Sequence, residues 1–327
     1  MDKVELYPLK FAPIYKSKIW GGTQIHEYKG LQSSAKDIGE SWEISPMDGD
    51  VSVVSEGALQ GKNLESIIKE YGEELLGKEV MKRYGSTFPL LVKLIYANDD
   101  LSIQVHPDDQ YALDKHDCRG KTEMWYMLKT SPNACIYKGW SRAFLSKEAL
   151  REAIKTEKLM SYLAKYEVRC GDAFYLPAGK VHTIGKGCLL LEIQEASDIT
   201  YRLYDFGRKD AHGKQRELHL EEALKVLNYD VEKQENRQPD TLPITSEYFK
   251  VSLNTVVESK ELILTDRNSF TILFCVEGSA VITTDKGSSS LRQGETLLLP
   301  ANIRQCTISP TIVGEGLSII DCFVPTK

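Results

Sequence analysis

The chain has 327 residues, of which 42% are hydrophobic and 27% charged, and it carries a formal net charge of −6. At roughly 100–200 residues per domain, this length allows one large domain or two to three smaller ones. The acidic balance argues against a nucleic-acid-binding protein, which needs a basic surface for the phosphate backbone. A small anionic substrate remains compatible with it, because such a substrate needs only a few local cations.

Features that the sequence lacks exclude further classes of function. No run of about 18 apolar residues is present, so no transmembrane helix is expected, and the first residues do not have the apolar segment of a signal peptide. The seven cysteines are scattered without a CxxC pair, which is typical of reduced thiols. There is no glycine-rich P-loop. We therefore expect a cytoplasmic protein that uses no nucleotide and has neither a membrane nor a nucleic acid as a partner.

Short strands and three helical segments are predicted along the first 230 residues. Strand-like pieces occur in the first 60 residues and again over 88–109, 122–138 and 167–208. Apolar residues at helical spacing predict helices over 63–84, 146–166 and 216–230, with Asn63 and Ser146 as candidate N-caps.

The C-terminal part of the chain is nearly all strand-like. Residues 230–243 are polar and contain two prolines, which indicates a linker. Residues 245–327 contain many short strands separated by Gly, Pro and Asn turn residues. Such a pattern favours sandwiches or barrels.

An internal repeat sharpens this prediction. "GDAFYLPAGKVHTI" (171–184) and "GETLLLPANIRQCTI" (294–308) share one frame, in which Gln305 stands where the first copy has His182. The first copy resembles the second motif of the cupin superfamily, whose members fold as double-sheet jelly rolls. We predict a mainly β protein of two cupin-like jelly-roll barrels with a few added α-helices. The predicted domains are a catalytic domain (1–230), a linker (231–244) and a second barrel without a metal site (245–327).

Four residues of the first predicted barrel could bind a metal ion. In the cupin interpretation His106 and His182 fall at ligand positions, and Glu123 starts a strand between them. Gln104 shares the strand face of His106, since residues i and i+2 point the same way. Imidazole, carboxylate and amide groups suit Zn²⁺ or another borderline divalent ion with an open position for substrate. The alternative is that each of the four is an ordinary surface or satisfied polar residue.

Further polar residues are candidates for a substrate pocket. Lys93 interrupts the apolar run "LLVKLIY", so it points either into a cavity or towards water. Trp20 and Glu40 could line a pocket mouth or serve the core and its turns. The stretch after His182, "LLLEIQEASDITYRLYDFGR", is rich in charged residues. It is either a solvated edge with ion pairs of little energetic weight or a set of acid, base and cationic groups beside a metal.

Taken together, the motifs resemble one enzyme family. "KIWGG", "GESWEIS", "LSIQVHPDD", "GKTEMWYML", "LPAGKVHTI" and "EASDITYRLYDFGR" occur in the order found in type I mannose-6-phosphate isomerases of the short bacterial form. The resemblance is strong over about residues 7–208 and loose over the remainder. One departure is Thr122, where longer members have a proline between a lysine and the zinc-binding glutamate.

The resemblance implies roles for individual residues. The zinc ligands of the family fall on Gln104, His106, Glu123 and His182, with one Zn²⁺ per chain. Its active-site arginine falls on Arg202. The lysine that precedes the zinc-binding glutamate by two positions falls on Lys121. The acidic residue after the late histidine falls on Glu192, and the aspartate of Ala-Ser-Asp falls on Asp198.

The implied reaction interconverts mannose 6-phosphate and fructose 6-phosphate through an enediol. A general base must move a proton between C2 and C1, and the sequence does not choose among Glu192, Asp198 and Lys121. Gln104 could ligate zinc or only hydrogen-bond nearby. Rival interpretations are another metal-dependent cupin enzyme and a non-catalytic sugar-binding cupin. The candidates for contacts to the phosphosugar substrate and its phosphate are Lys93, Trp20, Glu40, Lys121, Lys180 and Arg208.

Overall fold

Four antiparallel β-sheets, with short helices in their connections, make up the part of the protein that the structure describes. The computed structural model describes residues 3–144, 146–210, 212–312 and 314–326. No helix in these residues is long and apolar enough to cross a membrane. The α-helices described are α1 (Gln24–Tyr28), α2 (Leu64–Tyr71), α3 (Glu73–Leu76), α4 (Lys78–Tyr84), α5 (Asp109–His116), α6 (Lys147–Lys155) and α7 (Leu220–Val226). The 3-10 turns described are Leu159–Tyr162, Gln234–Asn236 and Thr265–Arg267.

The first barrel is formed by two facing sheets. Its strands are β1 (Ile14–Gly22), β2 (Ile38–Ile44), β3 (Leu90–Tyr96), β4 (Ile103–Val105), β5 (Glu123–Thr130), β6 (Cys135–Trp140), β7 (Leu163–Glu167), β8 (Ala173–Leu176), β9 (His182–Ile184), β10 (Cys188–Glu195) and β11 (Tyr201–Tyr204). The six-stranded sheet has the order β1-β2-β3-β10-β5-β8, and the five-stranded sheet has the order β11-β4-β9-β6-β7.

The second barrel repeats this arrangement. Its strands are β12 (Ile244–Thr245), β13 (Lys250–Val256), β14 (Lys260–Ile263), β15 (Thr271–Glu277), β16 (Ser279–Thr284), β17 (Gly287–Arg292), β18 (Thr296–Leu299), β19 (Gln305–Pro310) and β20 (Leu317–Phe323). The sheet orders are β12-β13-β20-β15-β18 and β14-β19-β16-β17. The predicted mainly β fold of two jelly-roll barrels with added helices is confirmed.

The two faces of the six-stranded sheet serve different purposes. Leu90, Val92 and Leu94 of β3 pack into an apolar core that also contains residues of the second barrel and of α2–α4. Ile95 packs inside the first barrel, and Lys93, two residues earlier, points to the same side because side chains alternate along a strand. The apolar run around Lys93 is therefore explained by burial of both sheet faces, and the lysine projects into the barrel.

Glycines and tertiary pairing shorten the predicted helices. The helix expected over 63–84 is three helices, broken at Gly72 (φ 48°) and Gly77 (φ 92°). A Cβ at position 77 would lie 2.2 Å from the Asn268 carbonyl oxygen, so only glycine fits there. The prediction over 146–166 is wrong after Lys155, since residues 163–167 pair as β7. The helix expected over 216–230 is confined to Leu220–Val226.

The segment that the sequence identifies as a linker runs along the first barrel. Val231 pairs with Trp140 and Asp240 pairs with Ala173. Near the other end of the chain, Leu9 pairs with Leu298 of the second barrel. The division into 1–230, 231–244 and 245–327 stays a prediction.

Strand register relates the two barrels residue by residue. Glu123 pairs with Leu176 in the first barrel and Thr271 pairs with Leu299 in the second, where both leucines precede the proline of the sequence repeat. Two residues further along, Trp125 pairs with Glu192 and Leu273 pairs with Asp321. Thr271 therefore occupies the position of Glu123, and Asp321 occupies that of Glu192.

In the second barrel, an ion pair between Arg267 and Asp321 occupies the place that Glu123 and Glu192 have in the first. The Arg267 guanidinium lies 2.8 Å from Asp321 Oδ2 and donates to Thr271 Oγ1 at 3.3 Å. Asn254 Nδ2 donates to the other Asp321 oxygen at 2.6 Å. Only 3% of the Asp321 side chain is exposed. A buried carboxylate of this kind depends on its cation, because the interior solvates it poorly.

We predict that Arg267→Met lowers the free energy of unfolding by about 3–5 kcal/mol, the usual cost of leaving one buried charge without its partner. The double variant Arg267→Met, Asp321→Asn is expected to recover most of that loss, because it removes the charge as well. Urea unfolding of both proteins measures the difference. A single variant as stable as the wild type, or a double variant no better than the single one, contradicts the assignment.

Candidate metal centre and substrate cavity

Three buried residues converge where the two sheets of the first barrel face each other. His106 follows β4, His182 starts β9 in the same sheet, and Glu123 starts β5 in the opposite sheet. Their candidate ligand atoms lie within 4.8 Å of one another. The exposed fractions of the three residues are 2%, 1% and 0%. The chain thus contains a His/Glu/His group that could hold a metal ion.

Backbone carbonyl groups set the orientation of both imidazole rings. His106 Nδ1 lies 2.8 Å from the Ile199 carbonyl oxygen, and His182 Nδ1 lies 2.8 Å from that of Lys180. A carbonyl oxygen only accepts, so each Nδ1 carries the hydrogen and each Nε2 keeps its lone pair. The Nε2 atoms face Glu123, at 3.6 Å for His106 and 3.3 Å for His182.

Burial keeps these histidines neutral. It lowers the pKa of His182 to about 4. Burial also lowers the pKa of His106 well below its ordinary value, and the positive charge of Lys121 adds to this. A neutral imidazole is the form that binds a metal ion.

The carboxylate of Glu123 also fits a bound cation. Its Oε2 accepts from the Lys121 ammonium, whereas its fully buried Oε1 has no hydrogen-bond partner among the residues that the structure describes. An unpaired carboxylate oxygen in the interior is costly, and a cation between Glu123 and the two imidazoles would remove that cost.

Gln104 lies next to this group. It pairs with His182 across β4 and β9, and its Nε2 lies 3.2 Å from His182 Nε2. Rotation of the amide by half a turn would present Oε1 at this point. Direct ligation by Gln104 stays a prediction.

A cavity of about 420 Å³ opens beside the His/Glu/His group. Lys121 and Gln104 connect the two, since each lines the cavity and contacts one of the histidines. Eight residues singled out from the sequence lie together in the lining: Trp20, Glu40, Lys93, Gln104, Lys121, Glu192, Asp198 and Arg202.

Two residues predicted to contact the substrate or its phosphate, Lys180 and Arg208, lie outside the cavity lining. The Lys180 ammonium pairs with Glu232, and Arg208 pairs with Asp205 at 2.6 Å. Neither side chain is among the cavity-lining residues. Lys180 contributes to the site through its carbonyl group, which orients His182. The structure does not support its side chain as a substrate contact, because that side chain lies outside the cavity lining.

The wall formed by β1–β3 holds a charge network. Lys18 lies 3.2 Å from Glu40, and Trp42 Nε1 donates to Glu40 at 2.7 Å. Burial by itself raises the pKa of Glu40, but the charges of Lys93 and Lys18 and the Trp42 hydrogen bond outweigh it and lower the pKa to about 2. Glu40 is thus an anion at any physiological pH.

Glu192 lies between two lysines. Its Oε1 is 3.6 Å from Lys93 and 3.8 Å from Lys121, and its Oε2 accepts from Trp125 Nε1 at 2.9 Å. Burial raises the pKa of Glu192 above its ordinary value. Burial lowers the pKa of Lys121, but the nearby carboxylates of Glu123 and Glu192 raise it overall, so this lysine stays charged.

The opposite wall carries Arg202. Its Nε donates to Ser102 at 3.2 Å and its Nη1 donates to the Glu217 carbonyl at 2.8 Å. Among the described residues, no carboxylate oxygen lies close enough to Arg202 to form an ion pair. Burial and the charge of Arg216 lower the pKa of Arg202, yet an arginine remains a cation in proteins.

Several lining residues were not singled out from the sequence as substrate contacts. Lys16, Lys18 and Trp20 are spaced two residues apart along β1 and therefore share one face of the strand. This spacing could have indicated both lysines once Trp20 was a candidate. Ser102 shares its strand face with Gln104 for the same reason. Arg216 comes after an irregular segment, and no local pattern points to it. The charged and hydroxyl-bearing residues missed in this way are Lys16, Lys18, Ser102, Thr200 and Arg216.

Comparison with family models gives two matches. Residues 8–131 match the phosphomannose isomerase type I catalytic domain. Residues 239–313 match the mannose-6-phosphate isomerase cupin domain. The second match supports the cupin character of the C-terminal barrel.

Individual relatives agree over nearly the whole chain. A mannose-6-phosphate isomerase of Streptococcus mutans is 37% identical over 306 residues, which cover 91% of this chain and 93% of the relative. Mannose-6-phosphate isomerase ManA of Bacillus subtilis is 36% identical over 90% of this chain and 93% of its own. The crystal structure of the mannose 6-phosphate isomerase from Bacillus subtilis superposes with a TM-score of 0.83 at 31% identity, covering 96% of this chain and 99% of that one. The chain therefore belongs to the type I phosphomannose isomerases, the enzymes also called mannose-6-phosphate isomerases.

Proposed function

We propose that this protein is a zinc-dependent aldose–ketose isomerase that interconverts mannose 6-phosphate and fructose 6-phosphate through an enediol. The observation that carries the proposal is the His/Glu/His group beside a cavity lined by six cationic and three acidic side chains. Relatives that cover nearly all of the chain are named as mannose-6-phosphate isomerases. The free, scattered cysteines support a cytoplasmic location.

Zinc suits the donor set. Two neutral imidazole nitrogens and one carboxylate oxygen, with the amide oxygen of Gln104 as a fourth donor, are ligands that Zn²⁺ accepts. We propose one ion per chain. When bound, it supplies a Lewis acid that stabilises negative charge on substrate oxygens without changing oxidation state.

The charges in the cavity support one orientation of the substrate. Arg202 is the lining cation without a carboxylate partner among the described residues, so it is free to bind a phosphate. Ser102, which accepts from Arg202 Nε, and Arg216 also line the cavity. Glu40 repels a phosphate from the opposite wall and accepts hydrogen bonds from sugar hydroxyls. Trp20 and Lys93 also belong to that wall. With the phosphate at Arg202, the reacting C1–C2 end of the sugar lies towards the metal group.

Glu192 is the best-placed general base. Its Oε2 accepts from Trp125, whereas the polar contacts of its Oε1 among the described residues are the two lysines at 3.6 and 3.8 Å. That oxygen is therefore available to take a proton from C2 and return it at C1. Asp198 is exposed at the cavity rim, and Lys121 is already protonated. We propose that Lys121 stabilises developing negative charge and that Asp198 contacts the substrate.

Metal removal tests the proposal directly. We expect the purified protein to contain zinc and to convert mannose 6-phosphate in a coupled assay, to lose this activity with EDTA, and to regain it with Zn²⁺. His106→Ala should lose both metal and activity, while His212→Ala, at an exposed position, should retain both. Full activity of His106→Ala would rule out the metal assignment. Bound zinc without turnover of any phosphosugar would rule out the isomerase.

We predict that Glu192→Gln lowers kcat by about 10²–10⁴-fold, the usual contribution of a general base. The KM and the zinc content are expected to change little, because the amide keeps the shape of the side chain. Asp198→Asn should have the smaller effect. Steady-state kinetics of both variants shows which residue is the general base. A larger loss in kcat for Asp198→Asn would identify Asp198 as the base.

We predict that Arg202→Met raises the KM for mannose 6-phosphate and removes competitive inhibition by inorganic phosphate, since the cation without a carboxylate partner is lost. Lys180→Met serves as the control. The sequence also suggests Lys180 for phosphate, but its side chain lies outside the cavity, so both constants should stay near those of the wild type. Inhibition by phosphate that survives in Arg202→Met would place the phosphate elsewhere.

A further inference from the structure

The backbone just before Glu123 is held at three successive N–H groups. Gly120 N donates to Asp109 Oδ1 at 2.9 Å, and Lys121 N donates to the Pro107 carbonyl at 3.0 Å. Thr122 N donates to Glu195 Oε1 at 2.8 Å. The segment 120–122 is therefore fixed to the turn that follows His106 and to the end of β10.

Glu195 provides the contact that comes from β10. It is the last residue of that strand, three positions after Glu192, and only 2% of it is exposed. Its own N–H donates to the Thr122 carbonyl at 3.0 Å, so Glu195 binds both polar groups of the Thr122 backbone. It is not among the cavity-lining residues. Its contact with the site is thus made through Thr122.

The side chains on either side of Thr122 belong to the candidate site. Lys121 and Glu123 are two positions apart in extended backbone and so project to the same side, where they contact each other. The Thr122 hydroxyl instead accepts from Ala178 N at 3.4 Å. Any rotation of the backbone at Thr122 would therefore displace Lys121 and Glu123 together.

We propose that Glu195 is a positioning residue of this site, which holds Lys121 and Glu123 in place against His106 and Glu192 by accepting the hydrogen bond from Thr122 N. The inference rests on the proposed function for its kinetic consequence only. Its consequence for metal binding depends on the His/Glu/His group alone. Removal of a residue that orients a metal ligand without touching the metal typically lowers metal affinity by roughly 10–100-fold.

Glutamine reproduces the chemistry of Glu195 in this setting. Burial and the negative charge of Asp109 raise the pKa of Glu195 to about 8, so the carboxyl group is neutral at pH 7. A neutral carboxyl group and an amide both offer a carbonyl oxygen as acceptor, with one O–H donor in the carboxyl group and two N–H donors in the amide. Methionine has a similar length but lacks the strong acceptor. The other ionisable groups that influence this region are Tyr84, Tyr175, Tyr248 and Arg119.

The test compares Glu195→Gln with Glu195→Met in the full-length protein at pH 7. Zinc affinity is measured by competition with a chelator, ligand geometry by the absorption spectrum of the Co²⁺-loaded protein, and catalysis by kcat and KM. We expect Glu195→Gln to match the wild type. Glu195→Met should bind zinc roughly 10–100-fold more weakly, with an altered Co²⁺ spectrum and a lower kcat at little changed KM. Glu152→Met, at an exposed position of α6, should change none of these values.

Glu195→Asp keeps the inference testable if Glu195→Met fails to fold. Aspartate is one methylene shorter and is expected to lose the Thr122 hydrogen bond, so it should weaken zinc binding in the same direction. Wild-type zinc affinity, spectrum and kcat in the folded Met or Asp variant would overturn the inference. Equal losses in the Gln and Met variants would also overturn it, since the acceptor would then not be the feature that matters. If the wild type turns over no phosphosugar, the proposed function fails, while zinc affinity and the Co²⁺ spectrum still decide the role of Glu195.

Discussion

The burial of the Glu123 carboxylate is the constraint on which the rest of the site depends. A fully buried anion is stable only if nearby groups compensate its charge. Its Oε2 accepts from the Lys121 ammonium and lies 3.6 Å from His106 Nε2, whereas its Oε1 faces His182 Nε2 at 3.3 Å. Burial keeps both imidazoles neutral. A cation between these three side chains would supply the remaining compensation. The carbonyl contacts that orient both rings, the packing of the two sheets and the fixed backbone around Thr122 all hold the geometry that such a cation requires.

The distribution of charge in the cavity runs against that of the whole protein. The chain has a net charge of −6, yet the cavity is lined by more cations than anions. Most of these cations are paired: Lys18 with Glu40, Lys93 with Glu192, and Arg216 with Asp205 at 2.7 Å. Paired cations are held in place and attract anions less strongly. The absence of a carboxylate partner for Arg202 among the described residues is the reason we propose its guanidinium as the phosphate contact.

The two barrels show how one strand register supports two different interiors. Lys121 contacts Glu123 and Glu192 in the first barrel, and Arg267 contacts Thr271 and Asp321 at the matching places in the second. Where threonine replaces the glutamate, a single arginine balances the single remaining carboxylate. The outer face of the first barrel's six-stranded sheet packs with the second barrel in a common apolar core, so the second barrel supports the sheet that carries Lys93, Glu123 and Glu192.

Local pattern and motif in the sequence were sufficient to predict the two β barrels, the histidines of the candidate metal group and about half of the cavity lining, because strand alternation and fixed spacings are properties of contiguous residues. The same local information overextended the helix over 63–84, where contact with Asn268 requires glycine at position 77. It also proposed Lys180 as a substrate contact, although its side chain pairs with Glu232. Only the tertiary structure brought Arg216 to the cavity and Glu195 to Thr122. Such contacts depend on register between strands and loops far apart in the chain, which local spacing does not encode.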